Sequence, residues 1–367
     1  MNKPEKCRCA GPVFNPAVFL TVKLAAFILT AVLAMSLLAG CKNNENSGLT
    51  YKIQPGMPDL TDYDVIFVGE NHISSQIFDI ELDLMRYYYS LGIRDFALEC
   101  SFGEALFFQY YFETGDEECY QYINRYSGTE KITAFSRERA EFYRNIYQWN
   151  STLEQKIRIH GFDIEHDPYG TGIAAAWFFI LKKYDPIEGM PLFTGDGIWP
   201  RAGNWYRLIE DYRTNSERYS AIGSEDTELF EKIILNVEQG LIANNRNSKI
   251  SVKENQKRSA VLREQFMTMN FRELMEKNPG KKVLAIMGYM HSALTGNAIY
   301  TINESQFPWV STDEPCMASV LKNETRIASI VMRTFGNSGK WPFFIRIRGW
   351  DLAEPYTSSY SGKWPNN

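Results

Sequence analysis

The chain runs to 367 residues, of which 44% are hydrophobic, 23% charged and 14% aromatic. That balance excludes a disordered or collagen-like protein, and the length is more than one minimal domain needs without demanding three. A formal charge of −5 excludes a protein held to nucleic acid by a basic surface, so no nucleic-acid partner is expected.

At the N-terminus, Lys3, Lys6, Arg8 and Lys23 precede an unbroken run of apolar and small residues from Leu24 to Gly40. The run ends in Leu38-Ala39-Gly40-Cys41 and passes at once into the polar stretch from Lys42 to Gly48. This segment resembles the signal peptide and lipobox of bacterial lipoproteins. The resemblance implies that residues 1–40 are cleaved and that Cys41 is lipidated as the first mature residue. Residues 41–62 would then tether a domain to a membrane of the cell envelope, facing the periplasm or the exterior. A plain membrane anchor is the alternative, since the run is nearly long enough to span. Beyond it remain Cys100, Cys119 and Cys316, an odd set at wide spacing that makes neither a disulfide framework nor a zinc knuckle.

From residue 63 onward, short apolar runs of β type alternate with helical patterns. Asp64 to Val68 is the first strand and meets Gly69-Glu70; Ile73, Ile77, Ile80, Leu84 and Tyr88 then share one helical face. Arg94 to Leu98 is a second strand ending at Glu99, followed by aromatic-rich helical stretches over Ala105 to Tyr126 and Ser136 to Trp149. Lys156 to Phe162 is a third strand ending at Asp163, and Ile173 to Tyr184 a further helix. Residues 186–247 break the rhythm with a Pro- and Gly-rich opening and an amphipathic helix through Leu229, Phe230, Ile233, Val237 and Leu241. They read as an inserted, mostly helical cap. A helix through Val261, Phe266 and Leu274 stops near Asn278-Pro279-Gly280, and Lys282 to Met287 is a fourth strand. Arg326 to Arg333 and Phe343 to Arg348 form a strand pair around Asn337-Ser338-Gly339. The expected fold is α/β: a largely parallel central sheet flanked by helices, with the cap and the C-terminal strand pair added. The domain spans residues 63–350, and 351–367 are a tail.

Ligands of open α/β sheets bind beyond the carboxyl ends of the strands, and here each strand ends in a residue able to do chemistry. Strand one leads to Glu70 and His72, strand two to Glu99, strand three to Asp163, Glu165 and His166, and strand four to His291. Three of the four histidines in the chain therefore fall just past strand ends; His160 lies inside the third strand and reads as a hydrogen-bonded structural residue. Imidazoles grouped with carboxylates suit general base catalysis, the carboxylate fixing the tautomer and stabilising the imidazolium that forms. The same residue types also suit a metal site, although no His-Glu-x-x-His helix or Cys/His cluster is present. The sequence has no Gly-x-Ser-x-Gly elbow, and Gly69-Glu70-Asn71-His72 stands where a phosphate loop would open.

Val68-Gly69-Glu70-Asn71-His72 followed by Phe96-Ala97-Leu98-Glu99 resembles the erythromycin esterase-like family. That family belongs to a wider group with the ChaN-like haem-binding lipoproteins and the TIKI and TraB-like proteins. Gly103-Glu104-Ala105, Tyr143 to Asn150 with Gly161-Phe162-Asp163, and Arg263 to Asn270 are similar to later blocks of the esterases. The resemblance implies a hydrolase of an ester, lactone or amide, with His72 as base, Glu70 and Glu99 as its carboxylates and His291 at the oxyanion or substrate. Asp163, His166 and Arg263 would touch the small-molecule substrate, and no cofactor would be required. One residue separates Glu70 from His72, as in the haem-binding and TIKI branches, where the esterases place two; Gly288 stands where they carry a second late histidine. A haem- or metal-binding lipoprotein and a metal-dependent peptidase therefore remain as alternatives.

Overall fold

The computed structural model describes residues 59–70, 77–126, 136–165, 171–184, 204–245, 247–294, 297–301, 309–333, 344–349 and 356–359. Cys41, His72 and His166 lie outside the described residues, as do Ile73 of the first expected helical face and the opening of the expected cap.

In chain order the elements are β1 (Val65–Glu70), α1 (Ile77–Ser90), β2 (Asp95–Ser101), α2 (Phe102–Thr114), α3 (Glu117–Tyr126), α4 (Ser136–Thr152) and β3 (Arg158–Asp163). There follow α5 (Thr171–Ala175), α6 (Asn204–Thr214), α7 (Ser224–Asn244), α8 (Val252–Lys277) and β4 (Val283–Gly288). The chain continues through β5 (Asn297–Thr301), β6 (Trp309–Pro315), α9 (Met317–Leu321), β7 (Ile327–Arg333), β8 (Phe344–Gly349) and β9 (Tyr356–Ser359). The main sheet has the order β3-β2-β4-β1-β7-β8-β9. Its first five strands are parallel, and β8 and β9 close that edge antiparallel. The α/β class and the C-terminal pair are as the sequence predicts. The pair β5–β6 is an addition that the apolar pattern did not mark.

Folded chain is also described on either side of residues 63–350. Leu60 is buried in the core and its carbonyl accepts from Tyr63 N–H. At the other end, β9 pairs with β8, so part of the presumed tail is a strand.

Strands in a parallel sheet are covered on both faces, and their side chains alternate between two cores. Ile66, Leu284 and Phe96 lie abreast in register, and with Val68, Leu98, Ile286 and Ile330 they face the larger core under α1 to α5. Val65, Phe67, Ala97, Val283, Ala285 and Met287 face the other way, onto Met267, Phe271 and Leu274 of α8 and Met317 and Leu321 of α9. Phe271 anchors that second core, edge-on to Phe67 at 5.3 Å and to Phe162 at 5.5 Å. Truncating a ring so enclosed costs about 3–5 kcal/mol.

Local signals explain the helix ends. Ser101 caps α2 by accepting from Glu104 N–H at 3.1 Å, and Gly115, at φ 71, ends it in the left-handed conformation. The long aromatic stretch from Ala105 therefore breaks in two, and Asp116 restarts the chain by accepting from Cys119 N–H at 2.9 Å. Ser251 and Glu254 form a capping box at the start of α8. The helix expected over Ile173 to Tyr184 widens into a π turn at Ala176–Ile180. That turn sets the consecutive rings of Phe178 and Phe179 both against Phe107, at 5.6 and 5.1 Å. Helix α7 packs on α2, α5 and α8. Its Asn236 accepts from Phe102 N–H at 3.0 Å and donates to the Asp163 carbonyl at 2.8 Å, which ties the insertion to the ends of β2 and β3.

Candidate active site

β1 and β2 are separated in the sheet by β4, so connections leave in both directions around the end of β4. This is the topological setting in which α/β sheets hold ligands. The chain turns there with His291 N–H bonded to the Gly288 carbonyl at 3.0 Å and Tyr289 N–H to the Glu70 carbonyl at 2.8 Å. Only glycine fits at position 69, because a Cβ there would stand 2.8 Å from the Tyr289 Cα and closer still to Ser292 Oγ. That close approach locks the loop carrying His291 against the end of β1. The His291 carbonyl in turn accepts from Ala318 N–H at 3.1 Å.

Glu99 enters from β2. The pairing of β2 with β4 stops at Leu98, and its register against β3 shifts between Leu98 and Ser101. An irregularity of this kind re-aims a side chain. The Glu99 carboxylate accepts from the backbone N–H of Gly288, which extends β4's contacts past the last ladder pair. Its other oxygen lies 2.5 Å from Arg263 Nη2 and 3.3 Å from His291 Nε2. Arg263, on α8, also grips Asp163 with two nitrogens, at 3.1 and 2.5 Å. The next residue of α8, Glu264, hydrogen-bonds His291 Nδ1 with one oxygen and accepts from Met317 N–H at 2.7 Å with the other.

His291 thus lies between two carboxylates, its side chain 6% exposed. Burial alone would lower its pKa, but Glu99 and Glu264 outweigh that and push it up to about 10. It is an imidazolium at neutral pH. Burial acts on Glu99 in the opposite sense and is likewise outweighed: the charges of His291 and Arg263 hold its carboxyl well below the usual range. Three acidic and two basic side chains therefore meet at the ends of β2, β3 and β4. Asp163 and Glu264 are sealed at 1% exposure, whereas Glu99 and Arg263 keep 13% and 19%. The last two are the faces a ligand would meet. Behind them Glu165, also buried, accepts from Gly172 N–H at 2.6 Å.

Of the residues singled out in the sequence, Glu99, Asp163, Arg263 and His291 come together. Glu70 is the last residue of β1. His72 and His166 lie outside the described residues. Glu264 and Glu81 were missed, although both carry a legible signal, a glutamate inside an apolar stripe. Glu264 falls among Ala260, Met267, Phe271 and Leu274, and Glu81 among Ile77, Leu84, Met85 and Tyr88. The expected stripe of α1 used Ile80 instead, which is only half-buried. His160 lies at the opposite end of the sheet, 2.9 Å from Asp95, the residue that also holds Arg158. Cys100, Cys119 and Cys316 are buried and unbridged.

Each ring nitrogen of His291 faces a carboxylate. Among the described residues no three His, Cys, Asp or Glu side chains are grouped as ligands of a metal ion. No described helix is long and apolar enough to cross a membrane.

No family model matches the chain, and no curated protein matches it. Among solved structures it is similar to a mutant erythromycin esterase in its open conformation, at 12% identity and a TM-score of 0.46, over 78% of this chain and 76% of that one. It is also similar to a succinoglycan biosynthesis protein, at 18% identity and a TM-score of 0.44, over 72% of this chain and 63% of the other, less than two thirds of its length. A third similar structure is one of cofacial haem binding to ChaN of Campylobacter jejuni, at 14% identity and a TM-score of 0.32, over 75% and 83%. The likeness is one of fold.

Proposed function

We propose that this chain is a hydrolase that opens an ester, lactone or amide bond with water, and that it works at the cell envelope, anchored through a lipid on Cys41. The observation that carries the reading is that His291 is buried with a carboxylate at each ring nitrogen. Held by Glu99 and Glu264, it cannot take a proton at neutral pH and serves instead as a fixed positive charge beside Arg263. Arg263, the more exposed of the two cations at the strand ends, favours the negative charge that develops on a carbonyl oxygen under attack. The base must then be another group, and His72, two residues past the end of β1 in the sequence, is assigned that role. It takes a proton from water as the oxygen attacks the carbonyl carbon, and the proton passes to the leaving oxygen or nitrogen as that bond breaks. Asp163 acts through Arg263 by fixing its guanidinium, and His166 follows β3 as a substrate contact.

The test is a screen of esters, lactones and amides with the purified protein and its His72→Ala variant, alongside metal analysis and a haem titration. Turnover that survives chelation and falls by at least about a hundredfold in the variant supports the reading, since a general base contributes roughly 10²–10⁴-fold. Stoichiometric metal, or a Soret band that disappears with His72, would turn the same residue into a ligand and end the proposal.

A further inference from the structure

β3 is an edge strand: of the main sheet only β2 pairs with it. Arg158 N–H donates to the Arg94 carbonyl at 2.8 Å, so the even-numbered residues of β3 turn their backbone groups to β2 and the odd-numbered ones turn theirs outward. Side-chain amides stand in for the missing neighbour. Asn150 accepts from Ile157 N–H at 3.0 Å. Gln109 of α2 spans the next acceptor and donor, its amide donating to the Ile157 carbonyl at 3.3 Å and accepting from Ile159 N–H at 2.6 Å. Further on, Asn236 of α7 donates to the Asp163 carbonyl at 2.8 Å. Between these plugs the Ile159 carbonyl and Gly161 N–H repeat the pair that Gln109 spans, two residues along, and no described residue bonds to either. They open on a cavity of about 50 Å³, walled by apolar side chains of Phe102, Leu106 and Leu274. Lys232 and Glu273 are also in its lining, paired at 3.1 Å, with the Lys232 ammonium over the Phe102 ring at 4.7 Å. The lining meets solvent at Leu235, which is 45% exposed.

We propose that this slot on the outer edge of β3 is a second binding site, for a small molecule that carries a primary carboxamide. The ligand's N–H donates to the Ile159 carbonyl and its oxygen accepts from Gly161 N–H, as the Gln109 amide does one pair earlier. A backbone donor and acceptor set in apolar walls call for a partner that supplies both functions, and the amide is the group that does. An ester has no donor, and a carboxylate would turn an oxygen toward the Ile159 carbonyl. A peptide strand laid along the edge would have to displace Gln109 and Asn236, whereas the cavity takes a few heavy atoms. The occupant is therefore a single head group, with the rest of the molecule leaving past Leu235. The site is independent of the hydrolase reading and uses none of its residues.

Acetamide is the probe, titrated into the isotope-labelled full chain and followed at the backbone amides by NMR. The Gly161 N–H signal should move downfield and saturate, with a dissociation constant of order millimolar, the range open to a ligand of so few atoms. Methyl acetate, of similar size but without a donor, should bind at least about tenfold more weakly, because it leaves the Ile159 carbonyl unpaired. The same holds for N-methylacetamide, whose N–H points away from its own carbonyl oxygen. Ala105→Leu places a larger side chain in the lining of the cavity and should abolish the response. An unmoved Gly161 signal, an equal response to all three probes, shifts centred elsewhere on the chain, or full acetamide binding by a folded Ala105→Leu protein would each overturn the proposal. If Ala105→Leu does not fold, the comparison of the three probes decides by itself.

Discussion

The sheet carries a histidine–carboxylate–arginine cluster at each end, and the two behave in opposite ways. At the amino end of β2, Asp95 is the sole carboxylate described as binding His160, at 2.9 Å, and it shares its oxygens with Arg158. Arg158 is 44% exposed and His160 22%, so water screens both. At the carboxyl end, His291 is sealed between Glu99 and Glu264 and Arg263 bridges Glu99 to Asp163. The same residue types thus form a screened ion pair that pins an edge strand in one place and a buried, fixed charge in the other. What differs is the number of carboxylates per imidazole and whether solvent reaches them.

Removing Glu264 is the most direct way to break the buried cluster. Glu264→Ala leaves His291 Nδ1 and Met317 N–H without their partner, and the cost of orphaning a buried ionic group is about 3–5 kcal/mol. Urea unfolding measures it, and an unchanged slope with a lower midpoint is the expected form.

pH sharpens the comparison, because His291 in one cluster and Asp95 in the other fail at opposite ends of the scale. His291 has its pKa raised from 6.5 to about 10. Its contribution to stability is therefore complete below the unfolded value and is lost as pH rises through the folded one. Asp95 is shifted the other way, from 3.8 to about 2; burial opposes the shift, but the hydrogen bonds from His160 and Arg158 outweigh it. Its contribution is complete above the unfolded value and is lost as pH falls toward the folded one. Thermal midpoints followed on both limbs should show Asp95→Asn making the acid limb shallower, with Glu99 supplying the remainder, and leaving the alkaline limb in place, at a cost near neutrality of about 1–2 kcal/mol. Loss of the alkaline limb in that variant would mean that the two ends are coupled.

His160→Ala should do least. Arg158 still binds both Asp95 oxygens, so a loss of about 0.5–1 kcal/mol is expected in the same unfolding assay.

Much of this was legible in the sequence, for physical reasons that also mark where legibility ends. A strand buried on both faces reads as a continuous apolar run, which is why the expected starts of β1 and β4, Asp64 and Lys282, lie one residue from the observed Val65 and Val283. The residue after such a run lies at the ligand-binding edge, and that rule led to Glu99, Asp163 and His291. Strand order is a property of long-range pairing, so the placement of β4 between β1 and β2 left no local trace. Glu264 and Glu81 were overlooked because a glutamate in a helix is read first as a solvated residue. The apolar neighbours three and four positions away are what betray them. β5 and β6 pair outside the main sheet and lack a two-sided apolar run, so periodicity did not separate them from loop.

The central claim is that His291 is a fixed cation at neutral pH and not a base. Nitrogen-detected NMR of the imidazole, assigned by comparison with a His291→Asn variant, tests it without a substrate. The account predicts two protonated ring nitrogens throughout the range from pH 5 to pH 8, with deprotonation only near the raised value of about 10. A single protonated nitrogen at pH 7, or a titration centred near the ordinary 6.5, would contradict it.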